Sequence, residues 1–235
     1  MTRVIENGSF SRWRDDDSAA VFEDMEFRHS RFEGCVVSNT CEPRLRSVVR
    51  RVRFLNCFCC GFCLLGPAIV EDALVDGLRT DDVLQTHGMS FKHVTLRGKI
   101  DRVMLAQMIS QVLTGTAPKS VQVAFDEANA AYYATVDWAL DISRAEFKEC
   151  DIRGIPARLI RRDPETQVVV TREKALRGDW RRLDLGKTYW QVGIEFMLDR
   201  GDPDVVLVAP KRAKNFRTLL EGLQLLRQAG VAEPD

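Results

Sequence analysis

Four of the seven cysteines fall within seven positions: Cys57, Cys59, Cys60 and Cys63, in the stretch FLNCFCCGFC. Thiolates are soft metal ligands, and Cys57, Cys60 and Cys63 stand at the C-x2-C-x2-C spacing that opens an iron–sulfur run. Such a run wants a fourth cysteine at position 67, which is Pro67. A zinc site wants a second, suitably spaced pair, and Cys35, Cys41 and Cys150 do not supply one. The thiols therefore read first as small buried hydrophobes, with Cys59 in a large inward place and Cys57 in a small one. Cys60 and Cys63 are then expected to point outward or to sit at corners. A thiol-based metal or redox sensor on Cys57, Cys60 and Cys63 is the alternative; otherwise no metal and no cofactor is expected.

The three histidines, His29, His87 and His93, lie in no Ser/His/Asp or H-E-x-x-H setting. His87, in LQTHGMS, stands beside a glycine and shortly after Asp81 and Asp82. An imidazole near carboxylates can accept, donate or bind, so Asp81, Asp82, His87 and His93 are the candidate groove residues. No P-loop, G-x-G-x-x-G or G-x-S-x-G occurs, so nucleotide and hydrolase chemistry lack their usual marks and no catalytic residue is assigned.

Periodicity indicates what must hold these residues. AVFEDMEFRHSRFEGCVVSN, from Ala20, places Phe22, Phe27, Phe32 and Val37 five residues apart. Ala20, Met25, Ser30 and Cys35, mostly small, precede each by two. A helix would want spacings of three and four, and a flat strand a spacing of two. A step of five suits a chain that turns a corner every five residues and points one large and one small side chain inward on each side.

This phrase, over residues 20–39, resembles the pentapeptide-repeat family, whose units carry a central Leu or Phe and a small residue two before it. The resemblance implies a right-handed quadrilateral β-helix.

The beat returns at Val49, Phe54, Cys59, Leu64 and Ile69, and again at Ile142, Phe147, Ile152 and Ala157. A longer period lies over it. VRRVRFLN, VEDALVDG and FKHVTLRG begin at Val49, Val70 and Phe91, about 21 residues apart, the length of one solenoid coil. FKECDIRG, from Phe147, is a further copy, and FDEANA, from Phe125, a degraded one. Stacked, the copies put Arg50, Glu71 and Lys92 in one outward column and Arg51, Asp72 and His93 in the next, with alternating charge as cross-strand neighbours prefer. Phe22, Phe54, Phe91 and Phe147 are expected to pile into one inward column.

Between Lys99 and Asp141 the beat falters. Leu105, Met108, Ile109 and Val112 suit a short helix. SVQVAF alternates as a strand would, and DEANAAYYATVDWAL fits either state. Beyond residue 162, TQVVVT reads as a strand, Thr171 as the cap of a helix through REKALRGDW, and KTYWQVGIEFMLDRG as a helix ending at Gly201. Phe216, Leu219, Leu220, Leu223 and Leu226 share one face of a last helix. Trp138, Trp180 and Trp190 read as core filling.

The expected fold is mainly β: a short, irregular right-handed β-helix over residues 18–162, with a partly helical excursion near 100–141. Residues 1–17 form a lead-in and residues 163–235 a mostly α-helical C-terminal cap over the open end. Lys+Arg and Asp+Glu both number 34, a balance that makes nucleic acid an unexpected partner. The first residues lack the apolar core of a signal peptide, the longest apolar run is too short for a bilayer, and free thiols suit a reducing cytoplasm. A cytoplasmic, non-enzymatic interaction or regulatory protein is the leading reading. Its partner would be another protein, with a homodimer as a further option. An enzyme of the carbohydrate-active β-helix kind is the other alternative, although no run of groove carboxylates is plain.

Overall fold

The computed structural model describes residues 2–233. Its main body is a 15-stranded parallel sheet, strongly curled like a half-barrel. The chain lays successive passes side by side. Arg3–Glu6, Ser9–Ser11 and Arg14–Asp16 make the first pass, and Val21–Arg28, Arg31–Glu33 and Val36–Asn39 lie against them. Val48–Cys60 and Leu64–Leu65 follow, then Ile69–Glu71, Leu74–Thr80 and Leu84–His87, then Ser90–Lys92 and Val94–Ala106. Leu140–Ile152 and Ile160–Arg161 end the series.

The register places apolar side chains in columns at the strand-to-strand spacing of roughly 4.8 Å. Phe22, Val49, Val70 and Phe91 form one column, and Ile5, Phe27, Phe54, Val75 and Leu96 the next. Phe10, Phe32, Cys59 and Thr80 form a third, and Val37, Leu65, Thr86, Leu105 and Ile152 a fourth. Each five-residue step from Phe22 to Val37 thus moves the chain to a new column. Rings stack within them, Phe27 on Phe54 at 5.3 Å and Phe10 on Phe32 at 5.1 Å. Phe22, Phe54, Phe91 and Phe147 do not share a column as expected. Phe54 stands one column on from Phe22 and Phe91, because it lies five residues past Val49, which shares their column, and Phe147 lies with Cys57, Leu78 and Ile100.

The corners use left-handed backbone. Asp24, Arg51, Asp72 and His93 have φ of 55°, 53°, 50° and 54°, and Asn7, His29 and Asn56 lead to Gly77 at 75° and Gly98 at 68°. Asn, Asp, His and Gly tolerate this region best. Gly77 is favoured there by its φ, and a Cβ would lie 2.6 Å from Asn56 Oδ1, so that the Asn56 amide would have to swing aside.

The strand from Val94 runs on to Ala106, and only then does the chain leave the sheet. Helix α1 (Ser110–Leu113) and helix α2 (Lys119–Tyr133) fill the excursion. SVQVAF is therefore the first half of a helix rather than a strand, and Phe125 starts no sheet copy. Phe125, Asn129 and Tyr133 recur at four-residue spacing on the buried face of α2. Asn129 accepts from Ser90 Oγ and from Arg46 Nη1, both at 2.7 Å, and donates to Gln107 Oε1 at 2.6 Å. Tyr133 Oη accepts from the Phe91 amide at 3.3 Å. A polar anchor in mid-stripe is what hides this helix from an apolar periodicity.

Residues 163–233 combine a two-stranded antiparallel sheet, Gln167–Thr171 with Asp204–Val208, and helices α3 (Arg172–Arg177), α4 (Trp190–Arg200) and α5 (Phe216–Gln228). Thr171 Oγ1 accepts from the Lys174 amide at 3.3 Å and caps α3, and Gly201 ends α4 at φ 77°. Both faces of the small sheet are covered, which is why its valines run without alternation. Val169, Val206 and Val208 face the core of the curled sheet. Val168, Val170 and Leu207 join Trp180, Trp190, Ile194 and Leu223 in a second core. Among the described residues, no helix is long and apolar enough to cross a membrane.

Candidate functional site

Asp81, Asp82 and His87 come together in one cleft of ≈360 Å³, with Cys59, Cys63, Phe62 and Gln85 among its walls. Two sharp turns make it. Gly61, at φ 60°, turns the chain after Cys60, and its amide donates to Asp81 Oδ2 at 2.9 Å. Asp81 Oδ1 accepts from the Asp82 amide at 2.9 Å, and Asp82 Oδ1 from the Val83 amide at 2.8 Å, so both carboxylates tighten the second turn while standing in solvent. Phe62 lies at the rim, 78% exposed.

His87 is buried, because it ends the strand Leu84–His87 beneath the segment that leads to α1. Its Nδ1 lies 3.3 Å from the Met108 carbonyl, which can only accept, so Nδ1 carries the proton and Nε2 the lone pair. Burial holds the pKa of this imidazole below its ordinary value, and the Met108 carbonyl partly offsets that.

The thiols take another role. Cys57, Cys60 and Cys63 are buried; Cys60 and Cys63 flank the turn at Gly61, so of the two expected places they take the corner and not the outward one. Cys57 Sγ donates to the Phe27 carbonyl at 3.5 Å, Cys60 Sγ to the Phe32 carbonyl at 3.6 Å, and Cys35 Sγ to the Phe10 carbonyl at 3.4 Å. Ser30 Oγ makes the same reach, to the Ile5 carbonyl at 3.4 Å. Each is a small inward donor to a carbonyl of the pass before, where an outward position would leave that contact unmade. Burial raises the pKa of Cys57, Cys59, Cys60 and Cys63, which keeps them as thiols. Among the described residues, no three His, Cys, Asp or Glu side chains converge as ligands of one metal ion.

His93 lies elsewhere, at a left-handed corner. Its Nδ1 is 3.0 Å from Asp72 Oδ1 and its Nε2 2.6 Å from Asp137 Oδ1, with the ring 4.8 Å from Trp138. The hydrogen bond to Asp137 is the main cause of a raised imidazole pKa, and the Asp137 carboxyl is lowered in turn. The alternating columns are in register: Glu23, Arg50, Glu71 and Lys92 in one, Asp24, Arg51, Asp72 and His93 beside it. Arg50 pairs with Glu23 at 2.6 Å and Arg51 with Asp24 at 2.7 Å, so these charges are largely spent on each other.

Sequence reasoning missed Phe62 as part of the cleft. The available signal is that it stands off the beat of Phe54, Cys59 and Leu64, directly after a glycine. The fold and the cleft together define the class, a mainly β protein with a curled parallel sheet and an acidic surface cleft. Compared with protein-family models, curated proteins and solved structures, the chain finds no match.

Proposed function

We propose that the curled sheet is a right-handed β-helix of the pentapeptide-repeat kind, and that the chain is a non-enzymatic interaction protein. Its partner, another protein, would add a strand to the open edge of the first pass. The observation that carries this reading is an asymmetry between the two edges of the sheet. The late edge, at Leu140–Ile152, is covered by the chain itself. Ile160–Arg161 pairs with its start, Gln167 Nε2 donates to the Ile142 carbonyl at 3.2 Å, and the Arg212 amide donates to the Phe147 carbonyl at 2.9 Å. The early strands, Arg3–Glu6, Ser9–Ser11 and Arg14–Asp16, have no strand beyond them among the described residues. Val4, Trp13 and Val21 stand exposed beside that edge. A row of unpaired backbone groups flanked by apolar side chains is a template for another chain, with main-chain bonds giving affinity.

The test is affinity capture with the wild type and a Val4→Lys/Trp13→Lys variant side by side. Val4 is exposed and should change stability by no more than about 0.5 kcal/mol, whereas the Trp13 ring packs edge-on against Phe22 at 5.4 Å and should cost about 0.5–1.5 kcal/mol, so capture is run well below the melting temperature of both proteins. The reading expects a protein held by the wild type and released by the variant. The same proteins retained by both would overturn it. A molar mass by light scattering then tells whether the bound chain is a second copy.

A further inference from the structure

We propose that the cleft between Gly61 and His87 is a binding site for a small cationic hydrogen-bond donor, a primary ammonium or a guanidinium group. This goes beyond the edge interaction and does not depend on it. Three observations carry it. First, the charged side chains lining the cleft are both carboxylates, Asp81 and Asp82. Arg31, whose charge is felt across to Asp81, is already engaged with Glu33 at 3.1 Å.

Second, His87 is only 6% exposed and lines the cleft, and the carbonyl of Met108 fixes its proton on Nδ1. Its Nε2 has no hydrogen-bond partner among the described residues. Among the described residues the sealed polar side-chain atom without a partner is Thr86 Oγ1, so Nε2 stays open to the solvent of the cleft, and a ligand donor would take the place of water there. Third, Phe62 presents an exposed ring at the rim, suited to the stem of an alkyl cation or to the cation itself.

The groups are matched in what they ask for. Nε2 is a lone pair, the carboxylates accept only, and the Thr80 hydroxyl is spent on the backbone of Arg102. An anion would meet repulsion there, and a neutral acceptor would leave Nε2 unmet. Asp82 uses Oδ1 on Val83, which leaves Oδ2 for a ligand. The cysteines on the wall, Cys59 and Cys63, have raised pKa values and supply an apolar floor rather than a charge.

The experiment follows the His87 imidazole nitrogens by NMR during titration with butylammonium and with methylguanidinium, using 1-butanol as the neutral control. The expected result is a saturable shift with either cation at a Kd of about 1–10 mM, the range open to a probe of so few atoms. No saturable shift should appear with 1-butanol. Asp82→Asn keeps the backbone cap at Oδ1 but removes the charge, and should weaken binding by about fivefold or more. Phe62→Ala, at an exposed position, should weaken butylammonium more than methylguanidinium. A shift equal for 1-butanol and the cations, a shift unaltered by Asp82→Asn, or no shift at about 50 mM probe would overturn the assignment. Titration with N-acetyl-lysine methylamide separates the two sources of the cation. Binding as tight as butylammonium marks a peptide side chain, and weaker binding marks a free amine.

Discussion

At His93 two carboxylates face the two ring nitrogens, so the corner favours the charged imidazolium; at His87 burial favours the neutral ring. The two histidines should therefore move stability in opposite directions with pH. The raised pKa of His93 gives a contribution fully present below 6.5, the unfolded value, and lost as pH climbs through the folded value. The lowered pKa of His87 gives one present above 6.5 and lost as pH falls through the folded value. His93→Asn should lose more stability against the wild type at about pH 5.5 than at about pH 8.5, by urea unfolding. Equal losses at both would mean that Asp72 and Asp137 add nothing. The thiols teach a related lesson at this scale. Cys57 and Ser30 do one job, donating a hydrogen bond to a carbonyl of the neighbouring pass, so a dense cysteine cluster here is a packing solution.

Among the elements, the corner that passes through Asn56, Gly77 and Gly98 is where a single methyl group matters most. Gly77→Ala forces a side chain into left-handed backbone and onto Asn56 Oδ1, and should cost about 1–3 kcal/mol in a thermal melt. The same change at Gly115, where a Cβ meets nothing within 4 Å, should cost about 1 kcal/mol, so the difference isolates the contact. What sequence could reveal of these elements depended on how regular their environment is. The step from Phe22 to Val37 was legible because each large residue meets the same kind of neighbour. Helix α2 was not, because Asn129 binds Ser90, Arg46 and Gln107 where an apolar residue would have completed the stripe. The cleft was half legible. Asp81, Asp82 and His87 share one side of the sheet, whereas His93, only six residues on, lies around a corner that no local pattern marks.

For the whole molecule, the joint between the curled sheet and the C-terminal unit rests on few polar contacts, and Arg212 makes several of them. Its guanidinium donates to the Ile100 carbonyl at 3.2 Å and the Glu146 carbonyl at 3.4 Å, and pairs with Asp101 at 2.9 Å. Arg212→Ala should leave those acceptors short of partners, cost about 1–3 kcal/mol, and lower Tm by a few degrees. Amide exchange in Phe147–Glu149 should quicken as the late edge loosens. No change in either would mean that the face of Val169, Val206 and Val208 suffices to hold the joint.

The edge asymmetry also bears on how far assembly can go. A body that can be lengthened at one end only gives finite complexes. Two copies meeting head to head would use up both growing ends, and a third would find nowhere to join. On the proposed edge reading, the chain's own last seventy or so residues block extended fibres, the usual hazard of repetitive parallel strands.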